Sequence, residues 1–562
     1  MHIGKNILLA GLLLTVSSVF GQTPDFKNWH LMDVQKDSLH GISINKTYEY
    51  LKGKKSTPVI VAVIDSGVDT THEDLKKILW KNPKEIPGNG IDDDKNGYVD
   101  DIYGWNFLGG KDGRNIKTES AEASRVYHRY KGKFNNKQIN ETDLTVEEKE
   151  QYQLWKQASQ LLNTKPEEQD ELGFLEMAFK AVKRHEKVLR EDMKRDTFTV
   201  NDVEHFSTDN PQAQKAKVGY LTFMKLTQIS SDETNQSIFD ELEEYITSKK
   251  KALEAKEVAP QNVRQDIVKD NYNNINDRFY GNNDVMGPTP LHGTHVSGII
   301  AAERNNGKGG DGVADNVKIM MIRAVPDGDE YDKDIALAIK YAVDNGAKII
   351  NMSFGKGISP EKKWVDSAVR YAEMKDVLLV HAAGNDAENN DSTGNYPNPD
   401  LQISHTKASN FITVGASGDP KVSGDYVASF SNYGKNTVDV FAPGVKIYSS
   451  VPGGNTYRFL EGTSMASPVV AGVAAVIRSY YPGLSSKQVI YALEKSAQAD
   501  STTNVTLPGS KQHVTFTDIS ISGGIVNAYN AVKIAATLQP EKKEIKKTVL
   551  PKATFNNKKV KQ

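Results

Sequence analysis

The chain has 562 residues, with 70 Lys and Arg against 72 Asp and Glu and a formal net charge of −2. This balance excludes a strongly basic nucleic-acid-binding protein, so we expect no nucleic acid among its partners. The chain has no cysteine, which excludes disulfides, zinc–thiolate sites and cysteine nucleophiles. With 38% hydrophobic residues, the composition is globular, and the length allows about three domains or one large domain with an insertion.

Residues 1–21 are typical of a secretory signal peptide. His2 and Lys5 precede an apolar run from Ile7 to Val16, and small residues follow it. The run is too short to span a bilayer comfortably, which favours a cleaved signal over an uncleaved anchor. We therefore expect export to the periplasm or the external medium, with no stable membrane insertion after cleavage.

Short β-branched runs predict a mainly parallel sheet. The first runs from Pro58 to Ile64 and ends directly at Asp65. Similar runs follow, several of them separated by segments of helical periodicity: Val317–Val325, Lys348–Met352, Val377–Ala383 and Phe411–Ala416. This alternation indicates an α/β domain, in which ligands bind beyond the carboxyl ends of the strands.

Three segments lie outside this pattern. Residues 22–55 form a short N-terminal segment ahead of the first strand. Residues 111–280 are rich in charge and show helical apolar spacing, for example at Leu172–Met193, which predicts a mostly α-helical insertion. A partly disordered charged segment is the alternative. Residues 541–562 are rich in lysine and predict a flexible tail.

Three motifs contain residue types that nucleophilic catalysis requires. Asp65 follows the first strand and precedes a glycine turn, and His292 lies at the predicted start of a helix, in the sequence LHGTHVSG. Ser464, in the sequence GTSMASP, stands at the head of an apolar helix predicted from Ala466 to Ile477. A helix N-terminus offers unpaired N–H groups to a developing oxyanion. Each motif alone is weak, and His295 and Ser467 are interpreted as packing residues.

Together, the three motifs resemble the signature blocks of the subtilisin-like serine proteases, in the chain order Asp, His, Ser. The resemblance covers residues 56–110 and 281–540 and implies a three-layer α/β peptidase domain. It implies that Ser464 is the nucleophile, His292 the base and then the acid, and Asp65 the residue that orients His292. It also implies that Asn385, in the sequence VHAAGN, contributes to the oxyanion hole.

The same resemblance implies a site for extended protein or peptide substrates. The expected substrate-binding residues are Ser353, Phe354, Gly355, Gly384 and Asn395. Asn395 stands where the family often has glycine, which predicts a shallower or more polar first pocket. An acidic cluster near the expected second and fourth subsites either favours basic substrates or is a solvated loop; its members are Asp327, Asp329, Glu330, Asp332 and Asp334.

A calcium loop is predicted between residues 89 and 101. Asp92, Asp94 and Asn96 alternate before a turn glycine, as in the first half of an EF-hand. Tyr103 occupies the twelfth position, so closure would come from Asp100 or Asp101. Oxygen ligands favour structural Ca²⁺ over a transition metal, and no organic cofactor is expected. An acidic, well-capped turn is the alternative.

These observations predict an exported serine endopeptidase that works through an acyl-enzyme on Ser464. Two alternatives remain: a peptide cyclase or transpeptidase, and a non-catalytic scaffold that has kept the peptide cleft. Residues 22–55 are too few for the usual inhibitory prodomain of the family. Because the insertion at 111–280 leaves the core between two catalytic elements, we expect it to cover or restrict the cleft.

Overall fold

A computed structural model describes residues 26–541, except 164–165, 228, 230, 232 and 498–502. The predicted signal peptide and almost all of the predicted lysine-rich tail lie outside the described residues. Among the residues described, no helix is both long enough and apolar enough to cross a membrane.

The described chain forms strands of two to seven residues. In chain order they are β1 Val59–Asp65, β2 Gly104–Asn106, β3 Val317–Arg323, β4 Ile349–Met352, β5 Leu378–Ala382, β6 Asp400–Leu401, β7 Thr406–Lys407, β8 Phe411–Ser417, β9 Val440–Pro443, β10 Ile447–Val451, β11 Thr456–Leu460, β12 Asn504–Thr506 and β13 His513–Thr515. Seven of them form one sheet in the order β2-β3-β1-β4-β5-β8-β9, and every pair in it is parallel. The carboxyl ends of these strands therefore meet at one edge of the sheet.

The helices lie on both faces of this sheet and in the insertion. In chain order they are α1 Val34–Asp37, α2 Ile44–Leu51, α3 Glu122–Phe134, α4 Val146–Leu161, α5 Pro166–Met193, α6 Val200–His205, α7 Pro211–Leu226, α8 Asn235–Glu254, α9 Val263–Ile267, α10 Leu291–Ala301, α11 Asp332–Asp344, α12 Lys362–Met374, α13 Thr463–Tyr480, α14 Ser486–Ser496 and α15 Ala528–Ala535.

Alternate residues of the buried strands pack against helices on opposite faces. Val61 and Val63 of β1 belong to a core that includes α10 and α13, while Ala62 and Ile64 belong to a second core with α11 and α12. This explains why the strand sequence is continuously apolar rather than alternating. The fold is a three-layer α/β domain, as the sequence predicts.

The segment from 111 to 280 contains α3 to α9 and has an apolar core of its own. This core joins α5 to α8 and is separate from the two cores beside the sheet; it includes Leu175, Val182, Leu189, Phe198, Tyr220 and Leu242. Helices α3 and α4 instead pack against Ile358 of the sheet-bearing α/β domain. The insertion thus has one part docked on the domain and another that forms a helical module.

The N-terminal segment packs into the domain. Trp29 is fully buried and its indole nitrogen donates to the carbonyl of Val445 at 3.0 Å. Ile42 and Ile44 belong to the same core as α10 and α13. This segment therefore completes the core of the α/β domain instead of forming a separate lobe.

Candidate active site

Asp65 and His292 meet at the carboxyl edge of the sheet. Asp65 ends β1 and is buried, whereas His292 is the second residue of α10 and is partly exposed. His292 Nδ1 lies 2.8 Å from Asp65 Oδ1 and 3.0 Å from Oδ2. Partial burial disfavours the imidazolium, but the charge of Asp65 and this hydrogen bond outweigh it, so the pKa of His292 is raised.

A glycine permits this close approach of α10 to β1. A Cβ on Gly293 would lie 2.2 Å from the carbonyl oxygen of Gly67 and 3.1 Å from Cβ of Asp65. Any larger residue would therefore push the helix start away from the strand end. The glycine next to His292 thus has a packing role that fixes the distance between the imidazole and the carboxylate.

Ser464 lies in the first turn of α13, the most buried helix of the domain. Its hydroxyl donates to the carbonyl of Ser353 at 3.0 Å, and the Ser353 hydroxyl donates to the carbonyl of Ser464 at 2.9 Å. The helix start is therefore fixed to the segment that follows β4. Unpaired N–H groups and the positive dipole end of α13 lie beside the hydroxyl.

Asn385 is oriented by the residue before Ser464. Its side-chain oxygen accepts hydrogen bonds from the backbone N–H and the hydroxyl of Thr463, each at 2.9 Å. The Thr463 hydroxyl in turn accepts from the backbone N–H of Gly384 at 3.1 Å. Because the amide oxygen is held in this way, the amide nitrogen of Asn385 is the group that can donate to a substrate oxygen.

Asn395 lies against Gly355, beside the predicted first pocket. A Cβ on Gly355 would lie 2.3 Å from Asn395 Oδ1, so the amide lies directly against the strand segment. Its nitrogen donates to the carbonyls of Ala382 and Ala383 at 3.1 and 2.8 Å. The structure therefore brings Asn395 together with the segment from Ser353 to Gly355.

His381 lies beside this pocket, and no role could be assigned to it from the sequence. Its ring is buried between Phe354 and Phe411, with centroid distances of 6.5 and 5.6 Å, and burial lowers its pKa to about 4. Its Nε2 has no hydrogen-bond partner among the described residues. The available sequence signal was a histidine within the otherwise apolar strand β5.

Three members of the acidic cluster, Glu330, Asp332 and Asp334, are buried, whereas Asp327 and Asp329 are partly exposed. Asp332 and Asp334 are buried at 2% and 0% exposure. Asp334 accepts hydrogen bonds from Nη1 and Nη2 of Arg264 at 2.7 and 2.9 Å. Asp332 lies 2.9 Å from the ammonium of Lys356. Asp332 and Asp334 are therefore each paired with a cation inside the protein. The sequence alone could not reveal this, because their partners come from other segments of the chain.

A compact oxygen cluster joins the predicted calcium loop to Glu85, which precedes it in the chain. Ligand atoms of Glu85, Asp92 and Asp94 all lie within 4.8 Å of one another. Calcium binds oxygens at 2.3–2.6 Å, so two ligands on opposite sides of one ion are about 5 Å apart. Glu85 Oε2 is buried and has no hydrogen-bond partner among the described residues, as expected for an atom reserved for a cation. This set fits a calcium ion.

The remaining predicted ligands lie differently. Asp100 accepts from the backbone N–H groups of Gly88 and Gly90 at 2.9 and 2.8 Å, and Asp101 is buried against Asn96 and Tyr341. The Asn96 oxygen accepts from the backbone N–H of Tyr98 at 2.8 Å. These three side chains shape the loop. The sequence did not identify Glu85 as a candidate ligand, because it precedes the residues with EF-hand-like spacing. Its closeness in the chain to these acidic residues was the one available signal.

Comparison with known proteins gives consistent results. A profile described as "Subtilase family" matches residues 56–516. A thermophilic serine proteinase of Bacillus sp. (strain AK1) is 40% identical over 43% of this chain and 52% of its own length. A cell wall-associated protease of Bacillus subtilis (strain 168) is 37% identical over 39% of this chain and 22% of its own length. Thermitase of Thermoactinomyces vulgaris is 38% identical over 43% of this chain and 75% of its own length. The chain thus spans about half of the first relative and less of the second.

Proposed function

This chain belongs to the subtilase family, and from that premise we propose that it is an exported serine endopeptidase acting through an acyl-enzyme on Ser464. The observation that carries this proposal is the hydrogen-bonded pair of His292 and Asp65 at the same sheet edge as the α13 N-terminus. A hydroxyl nucleophile needs an oriented base, and this pair supplies one.

In the proposed reaction, the Ser464 hydroxyl leaves the Ser353 carbonyl and turns to His292 Nε2. His292 takes the proton as Ser464 Oγ forms its bond to the scissile carbonyl carbon, and then gives it to the leaving amine. Water repeats the same steps on the acyl-enzyme. Asp65 holds Nδ1–H toward its carboxylate, which fixes the tautomer and stabilises the imidazolium without taking up a proton.

The developing oxyanion is expected to lie between the Ser464 backbone N–H and the amide nitrogen of Asn385. The two hydrogen bonds from Thr463 hold the Asn385 amide in place before substrate arrives, so no reorganisation is needed during the reaction. Removal of one such donor reduces turnover by about 10²–10³-fold. Asn385→Ala should therefore lower kcat by this factor while leaving KM nearly unchanged.

Protein and peptide chains are the proposed substrates. An extended substrate can add as a strand beside the segment from Ser353 to Gly355, where main-chain hydrogen bonds supply affinity. Its side chain before the scissile bond would enter the space bounded by Gly355 and Asn395. Export is proposed from residues 1–21. The cell wall-associated relative supports an extracytoplasmic location.

We assign structural calcium to the loop from Glu85 to Asp94. Three carboxylates held together without a cation would repel one another, and bound Ca²⁺ would neutralise them and tie the loop together. The proposed ligands lie on one turn-rich segment and not at the sheet edge that carries Ser464. The ion would therefore stabilise the fold rather than take part in the reaction.

Fluorophosphonate labelling of the mature chain beside Ser464→Ala tests the proposed function. We expect labelling and cleavage of unfolded casein in the wild type and neither in the variant. Product mass separates hydrolysis from transfer, because hydrolysis adds water whereas a transpeptidase or cyclase yields ligated or circular products. A wild type that neither labels nor cleaves, before or after limited proteolysis of the insertion, would contradict the proposal and favour a binding scaffold.

A further inference from the structure

Helix α8 runs between two separate contacts of the insertion. At its N-terminal end, Glu233 and Ser237 bond to the guanidinium of Arg458 on β11, with Arg458 Nε donating to Glu233 at 3.0 Å. Just past its C-terminal end, the Ala255 carbonyl lies 3.0 Å from both Ser124 Oγ and the His128 ring nitrogen of α3. The 20 residues of α8 span about 30 Å at 1.5 Å per residue.

The α3 end is fastened to the wall of the cleft that carries Ser353. Glu122 of α3 forms an ion pair with Lys356 at 2.8 Å, and both side chains are buried. Gln157 of α4 donates to the carbonyl of Gly357 at 3.1 Å. Lys356 and Gly357 directly continue the segment proposed to pair with substrate, so this end of the insertion is docked next to the first pocket.

The Arg458 end is fastened to the wall that carries His292. The Arg458 carbonyl lies 3.1 Å from Nε2 of His295, which is one turn beyond His292 on α10. Arg458 lies on β11, which directly precedes α13 and Ser464 in the chain. Ser464 bonds to Ser353 and His292 bonds to Asp65, so the reacting groups lie between the two fastened walls.

We propose that the insertion is a strap across the active-site cleft, and that it restricts this peptidase to unfolded chains and short peptides. The inference rests on the proposed function and adds its substrate class. A rigid helix of about 30 Å joining both walls blocks a folded protein surface. An extended chain needs only the width of one strand, about 4.8 Å in the hydrogen-bonding direction, to pass beneath it.

The two attachments differ in strength, which identifies the end that opens. The Glu122–Lys356 side chains are 1% and 2% exposed, whereas those of Glu233 and Arg458 are 22% and 18% exposed. Breaking a buried ion pair leaves an uncompensated charge, while a partly exposed pair is hydrated and screened by salt. The strap therefore opens at Arg458 and stays hinged at α3.

A reversible cross-link tests this. The chain has no cysteine, so Glu233→Cys with Arg458→Cys provides a unique pair for a short bis-methanethiosulfonate linker that dithiothreitol removes. We expect the linked enzyme to cleave a short peptide as fast as the reduced enzyme, but to cleave a folded protein at least fivefold more slowly. Lys183→Cys with Glu243→Cys, linked within the helical module, is the matched control. It should leave both rates unchanged.

Charge reversal tests the opposite direction. Arg458→Glu should raise the ratio of folded-protein to peptide cleavage about fivefold, as expected for losing roughly 1 kcal/mol of attachment. Adding Glu233→Arg should restore the wild-type ratio. Equal ratios in the linked, reduced and charge-reversed enzymes would overturn the strap. If the wild-type enzyme neither cleaves the peptide nor is labelled by the fluorophosphonate, the proposed function itself would be overturned.

Discussion

Ser353 and Ser464 exchange hydrogen bonds, each hydroxyl donating to the carbonyl of the other residue at 2.9–3.0 Å. The segment proposed to pair with substrate and the helix of the proposed nucleophile are therefore held in a fixed relative position. One of these bonds must break for the reaction, because the proposed nucleophile hydroxyl has to turn from the Ser353 carbonyl to His292. The other can persist and keep the helix start in place.

The first prediction concerns pH and Asp65. His292 must be neutral to accept a proton, so kcat/KM should rise with pH through the raised pKa of His292, above the ordinary value of 6.5. In Asp65→Asn the charge that raises this pKa is gone while burial still lowers it, so the acid limb should move to lower pH. The plateau should fall by about 10⁴-fold. A pH profile with a chromogenic peptide measures both, and an unmoved acid limb would contradict the assignment.

The second prediction concerns the first pocket. Asn395→Gly removes the amide that lies against Gly355, so the pocket should deepen and favour larger side chains before the scissile bond. We expect the preference for leucine over alanine to rise about tenfold. Thermal stability should fall, since the carbonyls of Ala382 and Ala383 each lose a donor. Asn436→Gly, at an exposed turn, is the control, and an unchanged preference would refute the pocket.

The third prediction concerns calcium. At a hundredfold excess over its Kd, a bound ion adds about 2.7 kcal/mol of stability, so a chelator should lower the Tm of the wild type. Glu85→Gln should lower the Tm in calcium and remove the response to the chelator. Asp93→Asn changes a neighbouring carboxylate that accepts from Ile86 and Asn89, and it should keep the response. Calorimetry with and without chelator measures these Tm values. An equal fall in Tm on chelation in the wild type, Glu85→Gln and Asp93→Asn would exclude this site.

The fourth prediction concerns the buried pair that anchors α3. Burial opposes ionisation of Glu122, but Lys356 and Arg125 overcome it and hold its pKa at about 2. Its contribution to stability is therefore complete above pH 4.5 and is lost as the pH falls toward 2. Lys356→Met should reduce the free energy of unfolding by about 3–5 kcal/mol, because Glu122 loses a buried partner. Denaturant unfolding measures this.

The double variant Lys356→Met with Glu122→Gln is the control for that prediction. It removes both charges and should recover much of the lost stability. Asp332 loses its Lys356 partner in both variants. If the single and double variants were equally destabilised, the loss would therefore not come from an unpaired Glu122 carboxylate.

Much of the sheet was predictable from the sequence. The first run was predicted as Pro58 to Ile64 and is found as Val59–Asp65, because a strand buried on both faces is apolar throughout. Two strands were missed. Gly104–Asn106 has only three residues, and Val440–Pro443 is short and ends in proline, so neither carries a recognisable pattern.

Candidate site residues could be predicted from the sequence only where each lies within a motif of neighbouring residues. Asp65, His292 and Ser464 each lie in an extended motif, so their approach could be expected. The partners that come from distant segments carried no such signal. Thr463 on Asn385 and Lys356 beside Asp332 are identified by proximity in space alone. Glu85 is near Asp92 in the chain but lies outside the EF-hand-like spacing.

The position of β1 between β3 and β4 has a consequence for the order of assembly. Both neighbours of β1 follow the insertion in the chain, so the strand bearing Asp65 cannot be paired on either side until synthesis has passed the insertion, nor on both sides until it has passed Met352. The helical module has a local core and can form first. The proposed nucleophile, Ser464, follows later still, on α13. On a growing chain the helical module can therefore be complete before the proposed catalytic residues are brought together.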